Sequence, residues 1–168
     1  MDDGKSGSMS SPVLPEQPLP PTYRVVVGVD FSEHSARAVR AALDIALHRE
    51  TQIFAITVAE GHGLARPKTE ASEMHETFHD ETQKTLERYI AEQLDYLEKG
   101  GAKLNRKRVA AAVDFGKPAE SILAFAESVN ADLIVIGTHG KKGLERLVLG
   151  SVANSILRTA QCPVLVTV

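Results

Sequence analysis

The chain has 168 residues, 43% of them apolar, with a formal net charge of −3. That length and apolar share suit one globular domain, while the mild acidity weighs against a general nucleic-acid binder, which carries a basic surface. No apolar run approaches the roughly 20 residues that cross a bilayer. Asp2 and Asp3 open the chain where a secretory signal would be basic, and the single cysteine, Cys162, permits no internal disulfide, so a cytoplasmic location away from membranes is expected.

Residues 1–22 read as a disordered tail rich in Pro, Gly and Ser. Pro12, Pro15, Pro18, Pro20 and Pro21 fall there, and such a segment buries too little apolar surface to offset its ordering entropy. A folded domain is expected over 23–168. Arg24–Val29 reads as a first strand. Ser32 or Glu33 to Arg49 reads as a helix, with Ala36, Val39, Ala42, Leu43, Ala46 and Leu47 near a 3.6-residue period. Gln52–Val58 is a second strand and 61–69 a loop. Ser72–Lys99 is a long helix whose inner stripe is Met74, Phe78, Thr85, Leu86, Tyr89, Ile90, Gln93 and Leu97, ended by Gly100-Gly101. Arg108–Val113 is a third strand, and Pro118–Ser128 a helix with proline in its first turn. Leu133–Ile136 is a fourth strand, Ser151–Thr159 a helix, and Val164–Val168 a fifth strand. Strand and helix alternate without a hairpin signal, which predicts an α/β domain: a mostly parallel sheet covered by helices on both faces.

Ligands of open parallel sheets bind beyond the carboxyl ends of the strands, where strand order reverses. Two such ends carry chemistry here. After the first strand comes Val27-Gly28-Val29-Asp30-Phe31-Ser32. Asp30 can accept a hydrogen bond from a ribose hydroxyl or base amine, or help hold a divalent metal beside phosphates; equally, Asp30 or Ser32 can simply cap the first helix. After the fourth strand comes Gly137-Thr138-His139-Gly140, then nine residues, then Gly150-Ser151 at a helix start. Glycines admit an anion close to the backbone, and a helix N-terminus adds free N–H groups and the positive end of a dipole. Ser151 can cap that helix or donate to phosphate. Lys141, Lys142 and Arg146 add positive charge nearby. No Walker A triplet occurs. The expected ligand is a nucleotide or another phosphorylated molecule held mainly by backbone.

The spacing of Gly137, Gly140, Gly150 and Ser151 resembles the ATP-binding signature of the universal stress protein family. So do the flanking runs Ala131–Gly140, Leu147–Ala153 and Cys162–Val166, the opening Val27–Ser32, and the turn Gly116–Glu120. The resemblance covers about residues 23–168. It implies a doubly wound five-stranded parallel sheet of order 3-2-1-4-5, of the adenine nucleotide alpha hydrolase-like type. It implies adenosine beside Val29 and Asp30, with Val58 as an apolar wall. Ile136, Gly137, His139 and Gly140 would line ribose and phosphates, and Gly150, Ser151 and Val152 would seat the phosphates. The ligand would be ATP, or AMP, ADP or cyclic AMP, with Mg or Mn at the phosphates. The role would be regulatory, in stress response, with at most slow hydrolysis, because no residue near the loop is an evident general base. The apolar strand 164–168 would be a sheet edge through which the family pairs into homodimers. An interaction module of the same fold with no nucleotide is the alternative.

His75-Glu76-Thr77-Phe78-His79 spells the helical zinc motif of metalloproteases. A zinc hydrolase is the remote alternative, since Met74 and Phe78 claim the inner stripe and no third ligand is evident. Cys162 is expected to be a small packed residue. His34 and His48 are expected on the surface of the first helix, and His62 in a loop. His139 is expected near phosphate, without a catalytic role.

Overall fold

The computed structural model describes residues 22–59, 72–138 and 149–168, and only the backbone of 72–75. Strand β1 (Tyr23–Gly28) leads to helix α1 (Glu33–His48), β2 (Thr51–Ala59), α2 (Ser72–Lys99), a 3-10 turn (Arg106–Arg108), β3 (Val109–Phe115), α3 (Pro118–Ser128), β4 (Leu133–Gly137), α4 (Ser151–Thr159) and β5 (Val164–Thr167). The five strands are all parallel in the order β3-β2-β1-β4-β5. The doubly wound architecture and the strand order are those expected.

The sheet separates two apolar layers because side chains alternate along each strand. Val25, Val27, Ile53, Ala55 and Val135 face α1 and α2, meeting Val39, Leu43, Leu86, Ile90 and Leu94. Val26, Ile56, Ile134 and Ile136 face α3 and α4, meeting Ile122, Ala126, Ala153 and Ile156. β1 and β4 contribute to both layers and sit mid-sheet, as unbroken apolar strands should.

The helices α2, α3 and α4 have the expected bounds, whereas β3 begins one residue later than expected and runs two further, to Phe115. The inner stripe of α2 needs correcting at two positions. Phe78 is 49% exposed and Thr85 is exposed, its hydroxyl donating to the Glu81 carbonyl. At about 1.5 Å per residue, 28 residues make a helix longer than the strands beneath it. Phe78 stands at the first turns of α2, and its ring meets Phe115 at the end of β3, with centroids 6.1 Å apart.

The two sheet edges differ. On the outer side of β3, the Gln83 amide of α2 donates to the Ala111 carbonyl at 3.3 Å, and Asp114 Oδ1 accepts the Phe115 N–H at 2.8 Å. Among the described residues β5 pairs only with β4, and Leu165 and Val168 are exposed beside it. No described helix is long and apolar enough to cross a membrane.

Candidate functional site

β1 and β4 are neighbours, so their carboxyl ends form one rim at the point where the chain order reverses. Val27 is level with Val135. A Cβ on Gly28 would stand 3.2 Å from Ile136 Cγ2 and 3.1 Å from Ile122 Cδ1, which shows how closely the two strand ends lie.

The β1 side is the turn into α1. Val29 is buried, and its N–H donates to the Ile56 carbonyl at 2.8 Å. Asp30 is half-buried, and its Oδ1 accepts the Ser32 N–H at 3.1 Å and the Ser32 hydroxyl at 2.6 Å. Ser32 is the N-cap of α1, its backbone extended and its Oγ accepting the Ser35 N–H at 3.2 Å. Of the two capping candidates, Ser32 caps and Asp30 braces the cap. Between them Phe31 sits at φ +64°, a left-handed conformation that costs a non-glycine residue about 1–3 kcal/mol. Its ring meets Tyr89 of α2 edge-on, with centroids 5.4 Å apart. Burial pushes the Tyr89 hydroxyl above its ordinary pKa, with nearby Asp30 pushing the same way and Ser35 opposing. Val58 follows Ile56, the partner of Gly28, by two residues, so it stands past the end of β1 on the α3–α4 face, half-buried.

The β4 side is built differently. Ile136 is buried in the α3–α4 layer. Gly137 ends the strand, and a Cβ there would stand 2.7 Å from His34 Cβ and 2.9 Å from the His34 carbonyl carbon. The first turn of α1 therefore lies directly on Gly137 and requires glycine, whatever the rim binds. His34 is not the surface residue expected. It is half-buried, its Nδ1 3.4 Å from Thr138 Oγ1, and its carbonyl accepts the Thr167 hydroxyl at 3.3 Å.

Thr138 links β4 to α4. Its N–H donates to the Thr167 carbonyl at 2.9 Å, and its carbonyl accepts the Gly150 N–H at 2.8 Å. Gly150 is the N-cap of α4 at φ −58°, a value open to any residue, with no side chain capping the helix. Ser151 is thus the exposed first residue of the helix and not its cap, so of the two roles expected for it only donation to phosphate stays open. Val152 is half-buried against the α3–α4 layer. The first intrahelical bond runs from the Asn154 N–H to the Gly150 carbonyl at 2.9 Å. The N–H groups of Ser151, Val152 and Ala153 precede it, so helix geometry brings donors and a positive dipole end to the rim. Val29, Ile136 and Val152 give their side chains to the core, and the Val29 N–H is already bonded to Ile56, so the Val152 amide at the start of α4 is the donor this trio offers the rim.

His139 and Gly140 lie outside the described residues, as do Lys141, Lys142, Arg146 and His62. So does the His75 side chain of the zinc motif. Glu76 is exposed, and His79 sits 3.5 Å from Asp80 Oδ1 with its ring near Phe115. Among the described residues no three His, Cys, Asp or Glu converge as a metal site. Cys162 is half-buried, and burial pushes its thiol up, which lowers its nucleophilicity at neutral pH.

The model of the universal stress protein family matches residues 22–167. The chain belongs to the universal stress protein family. It is 35% identical over 145 residues to universal stress protein MJ0531 of Methanocaldococcus jannaschii, covering 85% of this chain and 80% of that one. Its fold is similar to that of universal stress protein UspA from Lactobacillus plantarum, with a TM-score of 0.68 at 20% identity over 87% of this chain and 97% of that one. Two further similar structures hold ligands. One is a universal stress protein in complex with cAMP, with a TM-score of 0.57 at 23% identity over 87% and 96% of the chains. The other is from Archaeoglobus fulgidus in complex with dAMP, with a TM-score of 0.54 at 24% identity over 88% and 98%.

His34 and Thr138 tie α1, β4 and α4 together, and no sequence signal marks that role. A glycine ending an apolar strand signals a close neighbour, but nothing in the sequence says which one. Tyr89 has the spacing of a core residue, but a buried tyrosine hydroxyl needs a polar partner, and that partner lies at the β1 side of the rim.

Proposed function

We propose that this universal stress protein binds an adenine nucleotide, ATP or a related form such as AMP, ADP or cyclic AMP, at the rim between β1 and β4. The observation that carries the reading is the Gly150 N–H bond to the Thr138 carbonyl. It holds the start of α4 at the end of β4, beside β1, where a phosphate would meet the amides of Ser151 and Val152. Adenosine then lies toward Asp30, next to Val29 and with Val58 as its apolar wall. Ile136, Gly137, His139 and Gly140 follow the ribose and phosphates. The cAMP and dAMP held by two proteins of similar fold support the ligand class. A Mg or Mn ion would accompany the phosphates. The role is regulatory: occupancy changes the stability or partner choice of a cytoplasmic protein, with at most slow hydrolysis. Leu165 and Val168 make the edge at β5 the surface for a homodimer.

The test is titration calorimetry with ATP, AMP and cyclic AMP against the chain and its Gly140→Val variant. Binding is expected in the first and lost in the second, with circular dichroism unchanged. Unaltered affinity in the variant removes the phosphate assignment.

A further inference from the structure

Helix α2 reaches the β1 side of the rim through a polar seam against α1. Its residues Tyr89, Gln93 and Tyr96 fall on one helical face. Gln93 Oε1 accepts from Arg40 Nε at 2.9 Å, and the Arg40 guanidinium lies over the Tyr96 ring, 4.5 Å from its centroid. At the rim end, the Tyr89 hydroxyl donates to the Ser32 carbonyl at 3.3 Å and lies 3.3 Å from Ser35 Oγ, which donates to the same carbonyl at 3.0 Å. Ser32 in turn holds Asp30 through both its N–H and its hydroxyl. Phe31, between them, keeps its left-handed backbone with its ring edge-on to Tyr89. A continuous chain of contacts thus runs from α2 to the Asp30 carboxylate.

We propose that Tyr89 is a positioning residue for Asp30, so that the docking of α2 sets nucleotide affinity and nucleotide binding tightens α2 in return. This inference rests on the nucleotide reading above. The strained Phe31 supplies the reason a latch is needed: a left-handed residue persists only where its surroundings hold it. Without the Tyr89 hydroxyl the turn can relax, and Asp30 leaves the place where it meets the adenosine. The coupling is reciprocal by linkage. Contacts of 3.3 Å are long for hydroxyl pairs, so the effect is a modest one.

The experiment is a double-mutant cycle on the full chain with ATP, read by calorimetry. Tyr89→Phe keeps the ring against Phe31 and removes the hydroxyl. It is expected to weaken ATP binding about fivefold, the size of one ordinary hydrogen bond. In the Asp30→Ala background, which removes the oxygen that Ser32 holds, the same change is expected to have no further effect, because its target is gone. A purely structural loss would weaken binding equally in both backgrounds and would overturn the proposal. So would wild-type affinity in Tyr89→Phe. If the unmutated chain binds no adenine nucleotide, the functional reading itself fails. Amide exchange over residues 86–97 gives an independent readout: ATP should slow it in the wild type and not in Tyr89→Phe.

Discussion

At the rim, β1 and β4 end in opposite ways. The β1 end turns its polar groups on itself: Asp30 binds Ser32, Ser32 caps α1, and Tyr89 holds the Ser32 carbonyl. The β4 end fits by shape. Gly137 is pressed against His34, and Gly150 starts α4 with no side chain on the helix terminus. The first arrangement fixes a carboxylate in place, and the second leaves amides for an incoming anion. The adenine nucleotide proposed for this rim would use both devices, one on each side.

The comparison breaks most visibly at the two strand-end glycines. Gly137→Ala drives a methyl into the Cβ and backbone of His34, which cannot yield without moving α1. A loss of about 3 kcal/mol in denaturant unfolding is expected, the upper range for overpacking. Gly28→Ala meets only the methyl ends of Ile122 and Ile136 and should lose about 1 kcal/mol. Equal losses would mean that the two ends are not built differently. Gly150→Asp sharpens the contrast next. A carboxylate caps a helix as well as or better than glycine, so the ligand-free chain should change by only a few tenths of a kcal/mol. It also faces the proposed phosphate seat with negative charge, and ATP affinity should fall at least about tenfold. Retained affinity would show that the start of α4 is not where phosphate sits.

The smallest effect concerns the β1 side in alkali. Burial raises the Tyr89 pKa above 10.0 in the folded chain. The unfolded chain then loses that proton first, so the Tyr89 contribution is constant below about pH 10 and falls as pH rises toward the folded-state pKa. Tyr89→Phe should lessen this alkaline loss, as seen in melting temperatures between pH 9 and 11. An unchanged alkaline slope would place the titration elsewhere.

Much of this was legible in the sequence. Pro118 and the glycine-serine pair at 150–151 mark helix starts through backbone chemistry, and α3 and α4 begin where those residues indicate. Alternation of apolar runs and helical periods gave the α/β class, and resemblance gave the strand order. What periodicity could not see is which stripe positions stay exposed. Phe78 has the spacing of an inner residue, yet it is 49% exposed, with its ring against Phe115 at the end of β3. Nor could it see contacts set by distant segments. His34 reads as a polar residue of an amphipathic helix, and only the packing of β4 against α1 shows it half-buried on Gly137. Asp30 and Ser32 were indistinguishable as caps until the backbone angles identified Ser32.

The unequal flanks of the sheet bear on stoichiometry. Gln83 and Asp114 occupy the Ala111 carbonyl and the Phe115 N–H that another chain would use along β3. Should copies join strand to strand at β5, the product would present two β3 flanks on which these bonds compete with a further strand, and that favours a closed pair over a fibre.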